Sequence, residues 1–299
     1  MKLILENWNK FINEEEDRFK DRAAKPTKVG IPPDEIKKQR RVLKDLISKD
    51  YVEFVGQLQK QIKDPKFREF INMGIEDGDM VDDVITTQEV DIPVQALKPT
   101  QSQIGLVDSL GWTAKNKPKA AGQTAQADVA DVGGRIITAN GEYIVDGHHR
   151  WSQVYLLNPD AKIPAVNFQM ADAKNAKDVL KLTQLAIAAV DRVLPLIPAD
   201  AKTDIFATGG NEQRIKEILN GVVNDIMAQS LAQAYGVDSK EAVIDKITQN
   251  ALALYKKGTH NPDVPRQYMP QLDKVSSPSK KVDKLGAGDV NWNNKDAME

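Results

Sequence analysis

The chain has no cysteine in its 299 residues. Disulfides, thiolate zinc sites, iron–sulfur clusters and cysteine nucleophiles are therefore excluded. Long apolar runs are missing as well. None approaches the roughly 18 residues that cross a bilayer, so no membrane partner is expected. The opening "MKLILENWNKF" lacks the apolar core and small-residue cleavage site of a secretory signal. There is no excess of either charge: 41 Lys and Arg stand against 43 Asp and Glu, a formal net charge of -2. That balance excludes a surface that clamps nucleic acid all over, although it leaves room for a local basic patch. Histidine is scarce, with three in the chain. Hydrophobic residues make up 41% and charged residues 28%, so the expectation is a globular cytoplasmic protein with one main domain plus extensions.

What is present divides into stretches. Residues 1–87 read as a charged, helical N-terminal region. In "DEIKKQRRVLKDLISKDYVEFVGQLQKQI", Ile36, Val42 or Leu43, Leu46 and Ile47 recur at helical spacing after Pro32 and Pro33. Lys37, Lys38, Arg40, Arg41 and Lys44 form a basic cluster, but flanking Asp34, Glu35 and Asp45 favour a solvated face. The acidic "EDGDMVDD" lacks calcium-loop spacing and is expected to be a loop. "EVDIPVQALKPTQSQIGLVDSL" reads as a strand, a proline turn and a short helix. Residues 111–134, "GWTAKNKPKAAGQTAQADVADVGG", have little apolar periodicity. A long mobile loop is expected there, able to close Lys115, Lys117 or Lys119 over a ligand. Residues 171–258 are helical again, and 259–299 read as an extended tail.

The clearest local signal lies between them. "RIITANGEYIVD" is two strand-like runs joined by Asn140-Gly141, which suits a two-residue type I′ hairpin. Counting back from that turn pairs Thr138 with Tyr143, Ile137 with Ile144 and Arg135 with Asp146. The run then continues as "IVDGHHRWSQV", which holds two of the three histidines where a strand gives way to a helix. Backbone N–H groups of a first helical turn are unpaired and favour an anion. Gly147 allows close approach to the backbone, Arg150 adds a fork for phosphate oxygens, and His148 and His149 supply further donors. Plainer readings stand beside this one. Asp146 suits an N-cap or a partner for Arg135, and the histidines suit a surface helix.

"VDIPVQALKPTQ", "GRIITANGEYIVDGHHRWSQVYLL" and "KIPAVNF", taken together, resemble the ParB/sulfiredoxin superfamily in its Asp-Gly-His-His-Arg subgroup. The resemblance covers residues 88–170, under a third of the chain. It implies an α+β protein, with a small ParB/sulfiredoxin-like α/β domain embedded between helical N- and C-terminal regions. It also implies a nucleotide partner (ATP, ADP or CTP, with Mg2+), whose phosphates meet Gly147, His148, His149 and Arg150. In a catalytic version, performing phosphoryl transfer or phosphodiester or nucleotide hydrolysis, Asp146 and His149 are the candidate catalytic groups and Asp146 the candidate metal ligand. A non-catalytic nucleotide-binding or assembly role is the alternative, and DNA-associated regulation a third.

The chain departs from family patterns at three points. His148 stands where sulfiredoxins carry the reactive cysteine, so sulfinic-acid reduction is excluded. The related free-serine kinases use a glutamate base, whereas "PTQSQIG" offers Gln101 and Gln103. "IMAQSLAQAYGVDSKEAVIDKI" is superficially like the helix-turn-helix of partitioning ParB proteins, yet it would present Glu241 and Asp245 to a duplex, so helical packing is expected. At the ends, "MKLILENWNKFINEE" and "PRQYMPQLD" resemble proteins of marine contractile-tailed phages, and Ile4–Glu6 resembles the motif cut by prohead proteases. That likeness implies a phage protein acting in a bacterial host cytoplasm, with virion association as an option.

Overall fold

The computed structural model describes residues 32–71, 86–170, 173–191, 194, 201–259 and 263–270. The acidic "EDGDMVDD" segment, the phage-like opening and the tail beyond 270 lie outside these residues. Among the described residues the chain is a mixed α+β protein. Its order is α1 (Pro33–Ser48), α2 (Tyr51–Gln61), α3 (Pro65–Ile71), β1 (Thr86–Pro93), α4 (Leu106–Asn116), α5 (Ala120–Gln126), β2 (Ile136–Ala139), β3 (Tyr143–Asp146), α6 (His148–Leu157), β4 (Lys162–Gln169), α7 (Ala176–Asp191), α8 (Glu212–Val222), α9 (Asp225–Tyr235) and α10 (Lys240–Lys257). No described helix is long and apolar enough to cross a membrane.

The helical periodicity of the N-terminal stretch is realised as two helices. Asp50 breaks them apart because its carboxylate caps α2, accepting from Glu53 N at 2.9 Å. Leu43 and Leu46 are buried, with Ile36, Val42 and Ile47 partly buried beside them. Lys37, Lys38, Arg41 and Lys44 are exposed, as a solvated face requires.

Four strands form one sheet in the order β1-β4-β2-β3. The β1–β4 and β2–β3 pairs are antiparallel, and β2 runs parallel to β4. Pro164 lies in the inner strand β4 but just outside the β2 ladder, which begins at Ile136 opposite Ala165. A proline there removes no bond to β2.

Strand alternation sends side chains to two separate cores. On one face Ile137, Ala139, Val145 and Phe168 pack with Leu43, Phe54 and Phe67 of the N-terminal helices and Leu180 of α7. On the other, Ile136, Ile144 and Ile163 meet Leu110 of α4, Trp151 of α6, Ile215 of α8 and Ile247 of α10. Burying a side chain of this size contributes about 1.5–3 kcal/mol. Helix α6 is enclosed on most sides, and Trp151 Nε1 donates to Val94 O at 2.9 Å.

Two expectations need correction. Residues 111–134 are not one long loop, because they carry the end of α4 and all of α5. Helix α5 has small residues because α9 lies hard against it. A Cβ on Gly122 would come within 2.6 Å of Ser230 O. Lys117 lies over the Trp112 ring and Lys119 lines a groove with α9, so these two lysines belong to a helical layer.

The hairpin is also tied differently. Asn140 and Gly141 do adopt positive φ, but the register pairs Ala139 with Tyr143 and Thr138 with Ile144. A bulge then places Asp146 opposite Ile137, not Arg135. Outside partners set this register: Lys98 N donates to Glu142 O at 2.7 Å, and Gly141 N to Asn167 Oδ1 at 2.6 Å.

The two helices with helix-turn-helix likeness are α9 and α10, joined through Gly236 in the left-handed region. Helix α10 buries Val243, Ile244 and Ile247, and Asp245 on its outer side pairs with Lys216 at 2.8 Å. The buried inner face of α10 agrees with helical packing.

Candidate functional site

Strand β3 stops at Asp146, Gly147 turns the chain, and α6 begins at His148. Gly147 has φ 92° and ψ 23°, a left-handed conformation. A Cβ there would also lie 2.6 Å from Ile136 Cγ2 and 2.9 Å from its Cβ. Two separate constraints thus demand glycine at the joint. The first intrahelical bond runs from Trp151 N to Gly147 O at 2.9 Å. The N–H groups of His148, His149 and Arg150 precede it and have no intrahelical acceptor.

Gly147, not Asp146, occupies the N-cap position, and it makes no side-chain cap bond. The Asp146 carboxylate instead accepts from Gly147 N at 2.6 Å, one residue before the helix. Arg135, the alternative partner for Asp146, pairs with Glu89 at 2.8 Å. The bulge and the three-residue connection account for both outcomes, since they move Asp146 along the strand relative to Arg135.

Arg150 lies back over the joint. Its Nη1 donates to Arg135 O at 2.8 Å, and its guanidinium borders the spaces beside Gly134 and Gly147. The loop that presents Arg135 is fixed by Asp131, whose Oδ1 accepts from Gly133 N at 3.0 Å and Gly134 N at 2.9 Å. Those backbone bonds, with the nearby charges of Arg135 and Arg150, hold the Asp131 carboxyl below the ordinary carboxylate range. Asp131 was not among the sequence-derived candidates; its only signal was an Asx-type spacing ahead of two glycines.

The two histidines have different surroundings. His148 turns inward and is 6% exposed. Its Nε2 accepts from Thr100 N at 3.2 Å, while Thr100 Oγ1 donates to Ile144 O at 2.6 Å. Burial, and then the charges of His149 and Arg266, push the His148 pKa down to about 3. The ring is a neutral acceptor stitching the 97–104 segment to α6, and its imidazole faces the core.

His149 is partly buried, with Nε2 2.6 Å from Arg266 Nη2. Burial and the Arg266 charge push its pKa down too, against a smaller opposing pull from Asp108. In this arrangement the nitrogen a base would use is already occupied. Arg266 comes from a C-terminal strap that sequence reading placed in the extended tail, and nothing local marked it as a site residue.

Gln101 and Gln103 serve structure. Gln101 Nε2 donates to Gln103 O at 2.6 Å, and Gln103 Oε1 accepts from Ala201 N at 3.1 Å. Among the described residues no group of three or more His, Asp or Glu side chains is arranged to hold a metal ion. A groove of about 470 Å³ lies elsewhere, between α5 and α9.

Chemically, the joint offers first-turn N–H groups, a partly exposed guanidinium and a glycine without a side chain in the way. Such an arrangement suits an oxyanion. Comparison with protein-family models, with characterised proteins and with solved structures finds no match.

Proposed function

We propose that the protein is a ParB-like nucleotide-binding protein whose phosphate site is the start of α6. The observation that carries this reading is Gly147. A left-handed glycine pressed against Ile136 leaves the first-turn N–H groups beside Arg150 with no protein acceptor within the helix. Helix N-termini of this kind favour anions through both N–H donors and partial charge. The Arg150–Arg135 backbone contact supports the same reading, because it orients the guanidinium while leaving donors for a ligand.

The division of labour differs from the one the signature implies. Gly147 and Arg150 with the α6 amides bind phosphate, His149 lies at the rim, and His148 supports the turn from the core. Asp146 is the carboxylate nearest the joint in sequence and is the residue that would hold Mg2+ against bound phosphates. Magnesium typically needs one or two carboxylates plus phosphate oxygens, so a three-residue protein cluster is not required. Bound there, the ion would neutralise phosphate charge in phosphoryl transfer or hydrolysis.

Incubation of the protein with ATP, ADP or CTP and Mg2+, followed by calorimetric titration and product analysis, tests the proposal. Saturable binding is the expected result, and product formation would assign the catalytic version. Absence of binding by all three nucleotides overturns the reading.

A further inference from the structure

Helices α5 and α9 lie side by side and run in the same direction. Ser230 Oγ donates to Lys119 O at 2.9 Å at one end, and Gln126 Nε2 donates to Ala234 O at 3.3 Å at the other. The groove of about 470 Å³ between them has Gln123 and Gln126 on one wall and Ile226, Gln229 and Gln233 on the other. All five side chains are exposed. They recur at three- and four-residue intervals, so each wall is a single ridge along its helix.

One end of the groove carries both exposed apolar surface and charge. Ile226, in the first turn of α9, is 52% exposed, and Trp112 on α4 is also largely exposed. Asn224 Nδ2 donates to Ala114 O, so the segment from Ala114 to Lys119 borders that first turn. The segment presents Lys115, Lys117 and Lys119, all exposed and none in an ion pair among the described residues. Lys119 lines the groove, and Lys117 lies over the Trp112 ring at 5.6 Å from its centroid. Asp225, the carboxylate beside Ile226, is engaged by Lys240 at 3.0 Å. Exposed apolar side chains rimmed by polar ones mark interaction surfaces, and aromatic anchors dominate their energetics.

We propose that the α5–α9 groove docks an acidic amphipathic helix of a partner protein, with Ile226 and Trp112 taking its apolar residues and Lys115, Lys117 and Lys119 its carboxylates. The surface shares no residue with the start of α6, and the proposal is independent of the phosphate reading. A helix is the occupant because both walls are helices, whose own backbone bonds leave no sheet edge for strand addition. Side chains at helical intervals on a third helix fit between two such ridges. The occupant is acidic because three lysines face it without a carboxylate to neutralise them. Single-stranded nucleic acid fits less well. Its bases need free aromatic faces, whereas Lys117 lies over the Trp112 ring and the walls beyond are Ile226 and uncharged amides.

The test selects, on the full chain, a library of helical peptides of about four turns, with Leu, Ile or Phe along one face and Glu or Lys at the other positions. Recovered peptides are titrated by fluorescence anisotropy, and oligothymidylate is titrated beside them. Glu-rich peptides should be recovered, with affinity that falls as salt rises. Ile226→Glu should weaken them at least about tenfold, as loss of an apolar anchor does. Lys115→Glu, Lys117→Glu and Lys119→Glu together should abolish the preference for Glu over Lys peptides. These side chains are exposed, so unchanged melting curves will show that each variant is folded. Recovery of no peptide, recovery of Lys-rich peptides, or binding unaltered by both sets of changes overturns the proposal. Oligothymidylate binding that the lysine changes remove, in place of peptide binding, overturns it in favour of nucleic acid. Self-association in sedimentation that Ile226→Glu abolishes, with no peptide recovered, overturns it in favour of a second copy of this chain.

Discussion

Gly147→Ala perturbs the joint on which the site depends, and its cost can be worked from two features of the structure. An L-residue forced to φ 92° is strained, at about 1–2 kcal/mol. The added Cβ would meet Ile136 at 2.6 Å, and both atoms belong to packed backbone-proximal groups, so relief needs a shift costing about 1–3 kcal/mol. The sum is roughly 2–5 kcal/mol, a large part of the ~5–15 kcal/mol that stabilises a typical protein. At ~3 kcal/mol the melting temperature should fall by roughly 6–12 °C. Urea denaturation followed by circular dichroism gives the free energy directly. The same change in an Ile136→Ala background should cost ~1 kcal/mol less, because the methyl that it strikes is gone while the φ strain remains. A Gly147→Ala protein within about 0.5 kcal/mol of wild type would refute the reasoning, since ordinary surface changes fall in that range.

Two further outcomes follow from the neighbouring residues. His148 is held neutral with a folded pKa of about 3 against an ordinary 6.5, so below pH 6.5 the unfolded chain takes up a proton that the folded one refuses. Stability from this group is therefore complete above pH 6.5 and should fall, by up to about 1.4 kcal/mol per pH unit, as pH drops toward 3. His148→Gln keeps an acceptor for Thr100 N and removes the titration, so urea midpoints should show a shallower slope between pH 6 and 4; an unchanged slope contradicts the buried neutral histidine. Asp146→Asn retains an oxygen for Gly147 N and should change stability by under ~1 kcal/mol while lowering Mg2+-dependent binding or turnover, with an unaltered Mg2+ response counting against Asp146 as the metal ligand.

Where the chain's own neighbours in sequence set the structure, reading it was straightforward. Asn140-Gly141 marks the hairpin, "HHRWSQVYLL" the helix and "KIPAVNF" the strand, and all three appear where expected. Where distant contacts decide, sequence reading failed. Helix α5 carries no large apolar stripe, because its Gly122 must fit under Ser230, 108 positions away. On α4, Trp112 is 60% exposed, and the helix buries Leu106, Ser109, Leu110, Thr113 and Ala114. The strand register slipped because Lys98 and Asn167 hold the turn from outside the hairpin. At the site, the Gly147–Arg150 signature was visible as a strand-to-helix joint. The split between an inward His148 and an Arg266-bound His149 was not, since it depends on Thr100 and on a strap more than a hundred residues later.

The central claim is that the α6 start binds nucleotide phosphates, and the most direct measurement is a thermal-shift series with ATP, ADP and CTP on wild type and Arg150→Ala. A ligand present at 100 times its dissociation constant stabilises by about 2.7 kcal/mol, which is readily seen as a melting shift. The account predicts that at least one nucleotide raises the wild-type melting temperature and that Arg150→Ala, folded without ligand, shows no such rise. An unshifted wild type with every nucleotide, or an Arg150→Ala protein that responds as the wild type does, would contradict it.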